Sequence, residues 1–389
     1  MSATSARPYR KAALVPRSIG LLGTYPPTQC GIASFAHSLV RNLDNAGTGI
    51  TVGVVRIMDA AGAPVPGMVG SLRTDVSGTE LAAADALNAF DVAIVQHEYG
   101  IYGGPDGDQL LAVLEHIRVP VVVVAHTVLA QPTSRQATVL AQIVAASDAV
   151  VVMTDAARDR LIALYAADPD RVSVIRHGAT VRVRGERLVK RNPLVLTWGL
   201  LGPGKGIEWA IDALPCLRRL SPRPSYVVAG QTHPRVREHQ GEAYRHMLQQ
   251  RASDAGVADM VRFEDSYVDE GVLSRLIGRA DVVVLPYDST EQVTSGVLVE
   301  AVAAGKPVVA TAFPHAVELL SSGAGLVVPH RDGQALGQAL YRVLTEPGQA
   351  LRMRAQAARI APGLDWPSVA DQYLALAATV LTEPTAILS

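Results

Sequence analysis

Cysteine is scarce in this sequence, with two residues in a chain of 389. Cys30 and Cys216 lie far apart, and they show neither the close pairing of zinc ligands nor the density of a disulfide-stapled domain. The sequence therefore excludes a disulfide scaffold and a structural zinc site, and it favours a reducing compartment.

Long apolar runs are also absent. No stretch approaches the roughly 18 apolar residues that a membrane-spanning helix requires. Residues 1–17 carry four basic side chains among serine, alanine and proline, and they lack the apolar segment of a signal peptide. We expect a tail over these residues, a cytoplasmic location and membrane contact that is at most peripheral.

Neither sign of charge is in excess. The chain has 35 basic and 36 acidic residues and a formal net charge of -1, which excludes a general polyanion binder, so no nucleic-acid partner is expected. Hydrophobic residues make up 49% and charged residues 18%, as in globular proteins. Lysine occurs only at positions 11, 190, 205 and 306, so each lysine is a candidate for a specific role. The sequence does not indicate an oligomeric state.

The chain does contain an alternation of short apolar runs and longer amphipathic stretches, long enough for two or three domains of about 150 residues each. The apolar runs are rich in valine, as in parallel strands buried on both faces. This alternation predicts an α/β fold with helices on both faces of parallel sheets. The predicted strands are Ser18–Thr24, Ile50–Ile57, Asp91–Gln96, Val119–Ala125, Ala149–Met153, Val172–Ile175, Leu194–Trp198, Tyr226–Ala229, Met260–Phe263, Asp281–Leu285, Pro307–Thr311 and Gly325–Val328. The predicted helices include Gly107–His116, Ser134–Ala146, Asp155–Tyr165 and Val297–Ala304.

A basic segment, Thr180–Pro193, divides this pattern into two series. It contains glycine and ends in proline, and on either side the order of strand, glycine-rich turn and helix starts again. We predict a Rossmann-like domain over residues 1–188 and a second over residues 189–364. A helix within residues 365–389 would cross back onto the first domain. Two doubly wound domains would then face each other across a cleft, where ligands of open parallel sheets bind.

The stretch Gly199–Gly206 follows a strand and opens a helix. It has the spacing of an ATP-binding phosphate loop, but Gly206 stands where that loop needs a serine or threonine to hold magnesium. Backbone N–H groups, a helix start and Lys205 remain, which together favour an anion site. A solvent-exposed lysine at a helix start is the structural alternative.

Two other turns have related features. In Gly23–Ser34 a proline-stiffened loop precedes Gly31 at a helix start, without a dinucleotide fingerprint. In Gln292–Glu300, Ser295 is placed to cap a helix whose otherwise apolar face carries Glu300. A carboxylate in apolar surroundings needs partners, which a ribose diol could supply, unless it lies on the polar side of the helix.

Several histidines stand where predicted strands end. His97 and Glu98 follow one strand, His126 follows the next, and His177 and His233 end two others. An imidazole at such an edge can bind a sugar hydroxyl or a developing phosphate charge, or it can serve a structural hydrogen bond.

Taken together, these motifs resemble the retaining family-4 glycosyltransferases of the GT-B fold, and their mannosyltransferase-like branch in particular. The resemblance runs from about residue 18 to residue 375. It is carried by the segments Tyr25–Ala33, His97–Gly100, Ala125–Thr127, Val174–Gly178, Gly204–Gly206 and Gly296–Thr311.

The resemblance implies that the second domain binds a nucleotide sugar. Lys205 would hold the pyrophosphate, Glu300 would bind the ribose, and His126 would contact the donor sugar near its reacting carbon. Other donor-binding residues would be Gly31, Gly204, Gly206, Gln292, Ser295, Gly296, Val297, His233 and Arg245. The acceptor side would include Tyr25, His97, Glu98 and Tyr102. No metal or other cofactor is expected, and the hexose would pass to a saccharide or glycolipid with retained configuration.

Two positions depart from the family pattern. Gln292 stands where the family often has a glutamate, with Glu291 one residue earlier. Leu200 and Leu201 stand where many members have an arginine beside the lysine. The residues that could supplement Lys205 are Arg235, Arg237 and Arg245.

The leading interpretation is a hexosyltransferase, with GDP-mannose preferred as donor on resemblance alone. A glucosyltransferase that uses UDP-glucose comes second. Further alternatives are a nucleotide-sugar epimerase, a non-catalytic protein that binds nucleotide sugars, and, last, a P-loop ATPase.

Overall fold

The computed structural model describes residues 14–44, 47, 49–180, 192–265 and 270–382. The expected tail over residues 1–17 therefore lies largely outside the described residues. Most of the basic segment, with the expected domain boundary at residue 188, also lies outside them.

The first half of the chain forms a parallel seven-stranded sheet. Its order is β3-β2-β1-β4-β5-β6-β7, so the direction of winding changes between β1 and β4. The strands are β1 (Ser18–Gly23), β2 (Thr51–Met58), β3 (Met68–Arg73), β4 (Val92–His97), β5 (Val121–Ala125), β6 (Ala149–Val152) and β7 (Val172–Val174).

The second half forms a parallel six-stranded sheet of order β10-β9-β8-β11-β12-β13, with the change of winding between β8 and β11. Its strands are β8 (Leu194–Trp198), β9 (Ser225–Ala229), β10 (Val261–Glu264), β11 (Val282–Leu285), β12 (Val308–Thr311) and β13 (Gly325–Val328). The two doubly wound domains predicted from the sequence are confirmed as the fold class.

Helices cover both sheets. Those that follow strands of the first sheet are α1 (Gly31–Asp44), α2 (Glu80–Leu87), α3 (Gln109–Leu114), α4 (Ser134–Ala145) and α5 (Asp155–Tyr165). The rest are α6 (Ile207–Ala213), α7 (Pro234–Gln240), α8 (Ala243–Asp254), α9 (Glu270–Arg279), α10 (Gly296–Ala303), α11 (Pro314–Leu320), α12 (Gly333–Thr345), α13 (Pro347–Ile360) and α14 (Trp366–Thr382).

Each of the twelve predicted strands is present, with ends that differ by at most two residues. The prediction missed β3, whose sequence MVGSLR contains glycine and serine and is half-exposed. It is an edge strand with one neighbour, so it needs no continuous apolar run. The predicted helix Gly107–His116 is shorter than expected; α3 starts only at Gln109, after Gly107 with a φ of 76°.

The last helix, α14, packs on the first domain. Trp366, Val369 and Tyr373 are buried in the cluster that also contains Phe35 of α1. The Phe35 and Trp366 rings lie 5.1 Å apart at 72°. Ala179, near the end of the first domain, donates its N–H to the carbonyl of Leu364 at 2.6 Å. Burial of each such apolar side chain contributes about 1.5–3 kcal/mol, so α14 is firmly held against α1.

Candidate active site between the two sheets

Each sheet has one point where its winding changes direction, and there the loops after two neighbouring strands leave a crevice. In the first sheet this crevice lies between the loops after β1 and β4. In the second sheet it lies between the loops after β8 and β11. The loops of the two domains meet, since Gln231 Nε2 donates to Gln29 Oε1 at 2.6 Å.

In the second crevice, Lys205 sits on the glycine-rich loop after β8. Its ammonium lies 4.7 Å from the ring centroid of Tyr287, which follows β11. Among the described residues no carboxylate forms an ion pair with Lys205. Gly204 has a φ of 88° with open space around it, and a Cβ at Gly206 would overlap the carbonyl oxygen of Pro286. The loop therefore presents a cation and exposed backbone, and its glycines are required by conformation and by close packing.

Helix α10 closes the other side of this crevice. Ser295 caps it, because its Oγ accepts from the N–H of Leu298 at 3.3 Å, while its own N–H donates to His315 Nδ1 at 2.8 Å. The N–H groups of Gly296 and Val297 have no partner among the described residues. They lie at the positive end of a helix dipole, which attracts anions.

Glu300 lies one turn further along α10 and is half-buried. Its Oε2 accepts from the indole N–H of Trp198, the last residue of β8, at 3.2 Å. The side chain of Val297 also lies near Gly199. A Cβ added to Gly199 would be 3.8 Å from Cγ2 of Val297. The structure thus brings Glu300 and the glycine-rich loop of Lys205 to the same carboxyl edge of the second sheet.

Gln292 and Glu291 take different directions. The Gln292 amide donates to the carbonyl of Thr294 at 3.0 Å, which shapes the loop before α10. The Glu291 carboxylate reaches the first domain, where it accepts from the N–H of Ala130 at 2.6 Å and from Arg160 Nη1 at 3.2 Å. The carboxylate beside Gln292 therefore joins the two domains.

In the first crevice, His126 follows β5. Its Nε2 lies 2.6 Å from Gln96 Oε1, and its ring lies 4.9 Å from that of Phe35. Burial lowers the pKa of His126 to about 3, with smaller contributions from His177 and His97. The imidazole is therefore neutral at physiological pH, so it can exchange hydrogen bonds with a sugar without adding charge.

His177 stands where the two domains meet. A Cβ on Gly296, the first residue of α10, would lie 2.8 Å from His177 Nε2. Burial lowers the pKa of His177 to about 4, opposed by a hydrogen bond with the Gly178 carbonyl. Only glycine leaves room for this neutral imidazole at the start of α10.

Three of the four expected acceptor-side residues are buried in this structure, and their contact with an acceptor stays a prediction. His97 is 0% exposed, and neither ring nitrogen has a hydrogen-bond partner. Tyr102 is buried and donates its hydroxyl to the Gln96 carbonyl at 2.6 Å. Tyr25 is buried with its hydroxyl 3.1 Å from His37 Nδ1. Glu98 stays partly exposed and accepts from the N–H of Gly100 at 2.8 Å.

Two expected donor-binding residues, Arg245 and His233, make contacts within their own domain. Arg245 is 4% exposed; it bonds to the Gly230 carbonyl at 2.9 Å and pairs with Glu242 and Asp265. Because its remaining nitrogen, Nη1, is buried as well, it supports the loop after β9 and does not face a ligand. His233 caps α7, with Nδ1 accepting from the N–H of Arg235 at 3.3 Å.

His233 nevertheless lies close to the cationic loop. Burial lowers its pKa first, and the charges of Arg235 and Lys205 lower it further. The Arg235 guanidinium reaches across to the first domain and donates to the carbonyl of Gly100 at 2.6 Å. Gly31, at the start of α1, has no atom within 4 Å of an added Cβ, so a ligand can approach its backbone.

Sequence reasoning missed the contacts that hold the domains together. Glu318 of α11 accepts from the N–H groups of Asp155 and Ala156, both at 3.1 Å, and thereby caps α5 of the other domain. Thr154 Oγ1 donates to the Val293 carbonyl at 3.1 Å. A surface glutamate and a threonine carry no sequence signal for a contact that spans more than 130 residues.

No group of three or more histidine, cysteine, aspartate or glutamate side chains that could hold a metal ion occurs among the described residues. The described helices also include none with the length and apolar character needed to cross a bilayer.

Two protein-family models match the chain, one in each domain. Residues 30–182 match the model described as Glycosyltransferase Family 4, and residues 192–346 match the model described as Glycosyl transferases group 1. Together they cover most of both domains, from the start of α1 to the end of α12.

Curated relatives match about half of the chain. Glycogen synthase of Mycobacterium tuberculosis (strain CDC 1551 / Oshkosh) is 33% identical over 205 residues, 51% of this chain and 46% of that protein. A GDP-mannose-dependent alpha-(1-6)-phosphatidylinositol monomannoside mannosyltransferase of Mycolicibacterium smegmatis is 32% identical over 181 residues, 45% of this chain and 44% of that protein. The chain spans about half the length of the curated relatives it matches.

Solved structures match over nearly the whole chain. Anabaena Alr3699/HepE in complex with UDP-glucose superposes with a TM-score of 0.71 at 18% identity, and it covers 93% of this chain and 99% of that one. At that identity the match shows the shared two-domain fold.

Proposed function

We propose that this chain, which belongs to the glycosyltransferases of the GT-B fold, transfers a hexose from a nucleotide sugar to a saccharide or glycolipid acceptor. The observation that carries the proposal is the crevice between β8 and β11. There Lys205 lies on the loop after β8 and α10 begins after β11, at the same carboxyl edge of the sheet, and among the described residues no carboxylate forms an ion pair with the lysine. A diphosphate supplies the missing negative charge.

Lys205 and the start of α10 would stabilise the diphosphate as it leaves, which is where charge develops during transfer. A pre-arranged cation and helix end do this without reorganisation at the moment of reaction. The carboxylate of Glu300, oriented by Trp198 at 3.2 Å, would accept hydrogen bonds from the ribose hydroxyls. Gln292 can also bind sugar hydroxyls, although its amide carries no charge.

The first domain would present the acceptor. His126 is held by Gln96 and is neutral, so it can bind a hydroxyl of the transferred sugar beside the reacting carbon. The leaving phosphate oxygen would take the proton of the incoming hydroxyl on the same face of the sugar, and the configuration would be retained. In this scheme the protein contributes orientation and electrostatic stabilisation in a cleft with little water, and no metal ion.

For the donor we propose GDP-mannose, with UDP-glucose as the alternative. The mycolicibacterial relative is named as GDP-mannose-dependent, whereas the Anabaena structure contains UDP-glucose. A thermal-shift series with GDP, UDP and ADP distinguishes the bases, because the nucleotide that binds most tightly raises the melting temperature most.

The deciding experiment measures release of nucleoside diphosphate from GDP-mannose and UDP-glucose, with and without a panel of acceptors. We expect release that depends on the acceptor, together with a glycosylated product. Release of an epimerised hexose without acceptor would identify an epimerase. Nucleotide binding with no turnover on any acceptor would contradict a transferase and leave a binding protein.

A further inference from the structure

Arg56 is a buried cation at the carboxyl end of β2, in the first domain. It is 8% exposed. Its neighbours Val55 and Ile57 belong to the apolar cluster on one face of the sheet, whereas Val54 belongs to the cluster on the other face. Because side chains alternate along a strand, Arg56 points to the face of Val54, where α1 packs.

Arg56 has no counter-charge among the described residues. Its Nη2 donates to Thr28 Oγ1 at 3.1 Å, its Nε is buried without a partner, and none of the described carboxylates forms an ion pair with it. Arg73, at the end of the adjacent strand β3, instead forms a two-pronged pair with Asp75 at 2.6 and 2.7 Å. A buried guanidinium without an anion is unfavourable, so Arg56 calls for an anionic partner.

The start of α1 adds a second positive feature at this place. Thr28, which holds Arg56, accepts the N–H of Cys30 at 3.2 Å, directly before α1 begins. Among the described residues the N–H groups of Gly31 and Ile32 have no partner. Open space surrounds the Cβ position of Gly31, so an anion can approach the 14-residue helix end-on.

This position faces the cleft. Gln29, one residue before Cys30, accepts from Gln231 of the second domain at 2.6 Å. An anion at Arg56 and the start of α1 would thus be held on the first-domain wall, with Lys205 on the second-domain wall.

We infer that Arg56, Thr28 and the first N–H groups of α1 bind a phosphate group carried by the acceptor. A dianion suits the joint presence of a guanidinium and a helix end better than a neutral saccharide does. The inference rests on the proposed function for its place in the reaction, but the binding site exists independently of turnover. The phosphate could belong to a sugar phosphate or to the headgroup of a phospholipid.

The test is calorimetric titration of inorganic phosphate into the wild type and the variants Arg56→Met, Arg73→Met and Lys205→Ala. We expect binding to weaken about tenfold or more in Arg56→Met, since bonds to charged groups are strong. Arg73→Met is the matched control and should bind as the wild type does, because Asp75 already neutralises Arg73. In Lys205→Ala the Arg56-dependent binding should persist. Equal binding in wild type and Arg56→Met would overturn the inference.

Glucose 6-phosphate and dioctanoyl phosphatidylinositol, each compared with neutral glucose, distinguish the two sources of phosphate. Preference for either over glucose, lost in Arg56→Met, supports the inference and names the source. No preference in the wild type overturns it. Transfer to the phosphorylated acceptor with the wild-type kcat and KM in Arg56→Met would remove the inference and keep the proposed function. Arg56-dependent phosphate binding without any transfer would keep the site and remove the proposed function.

Folding of the variant is a separate readout. Without an anion, Arg56→Met should melt at or above the wild-type temperature, because it removes an unpaired buried charge. A lower melting temperature with unchanged phosphate binding would make Arg56 structural and contradict the inference. If Arg56→Met does not fold, Arg56→Lys takes its place, because lysine retains the charge but lacks the planar guanidinium. Arg56→Lys should weaken phosphate binding several-fold. Unchanged phosphate binding in Arg56→Lys would contradict the inference.

Discussion

The two crevices of this molecule have the same topology but carry different titratable groups where their strands end. At the change of winding in the second sheet, the cation Lys205 and the carboxylate of Glu300 border open backbone. At the corresponding point of the first sheet, His97 and His126 are neutral, because burial lowers their pKa values to about 4 and about 3. The fold supplies a crevice at each point, whereas the residues at the strand ends and on the loops decide which chemical groups can bind there.

The largest expected effect concerns the charged crevice. Lys205→Ala should lower kcat by about 10²–10³-fold, as does removal of one group that stabilises transition-state charge. Steady-state kinetics with saturating donor measures it. Arg352→Ala, which removes an exposed cation on α13, is the control and should be neutral. A kcat within twofold of the wild type in Lys205→Ala would refute the division between the two crevices.

Glu300→Ala should have the next largest effect. A hydrogen bond from the ribose to a charged acceptor contributes about 1.5–3 kcal/mol. We therefore expect Glu300→Ala to bind the nucleoside diphosphate more weakly by about this free energy. Calorimetry with the preferred nucleotide measures it. Trp198→Phe removes the indole N–H at 3.2 Å together with part of a buried ring but keeps the Glu300 carboxylate, so it should weaken nucleotide binding less. Unchanged affinity in Glu300→Ala would contradict a ribose contact.

The neutral histidines of the first domain predict a dependence of stability on pH. An imidazole with a lowered folded-state pKa contributes its full stability above the unfolded pKa of about 6.5 and loses it as pH falls towards 4. His97 is fully buried with both nitrogens unpartnered, so it should contribute up to about 1.4 kcal/mol per pH unit over that range.

Urea unfolding at pH 7 and pH 5 measures this contribution, and His97→Phe should reduce the difference between the two values. His239→Phe, at an exposed histidine near the end of α7, is the control and should leave the difference unchanged. An equal loss of stability at pH 5 in the wild type and His97→Phe would show that His97 is not kept neutral by burial.

The smallest effect concerns the contact between the domains. Glu318→Gln removes a charged cap from α5 and should lower the free energy of unfolding by about 1 kcal/mol, within the usual range for loss of a helix cap. Chemical denaturation measures it. Glu346→Gln disturbs only an exposed pair with Arg342 and should change stability by less than about 0.5 kcal/mol. Equal effects in both variants would mean that the Glu318 contact adds nothing.

The architecture followed from local pattern. Valine-rich runs such as Val121–Ala125 are buried on both faces, and their period differs from that of the helices between them. The half-exposed edge strand β3 escaped notice because its sequence has no such signature. Lys205, Ser295 and Glu300 were also identifiable, since glycine loops, helix caps and a carboxylate in an apolar helix face are features of short segments.

Residue types and their order along the chain were sufficient for two parallel sheets, for the glycine-bearing loops at their carboxyl edges, and for a lysine and a glutamate beside one of them. The sequence did not predict which distant residues contact each other, because the burial and counter-charge of a side chain depend on neighbours far away in the chain. Packing alone buries His97 and Tyr102 and gives Arg245 two carboxylates. Among the described residues the same packing leaves Arg56 without a carboxylate, and it sets Glu318 against α5, 162 residues earlier in the chain.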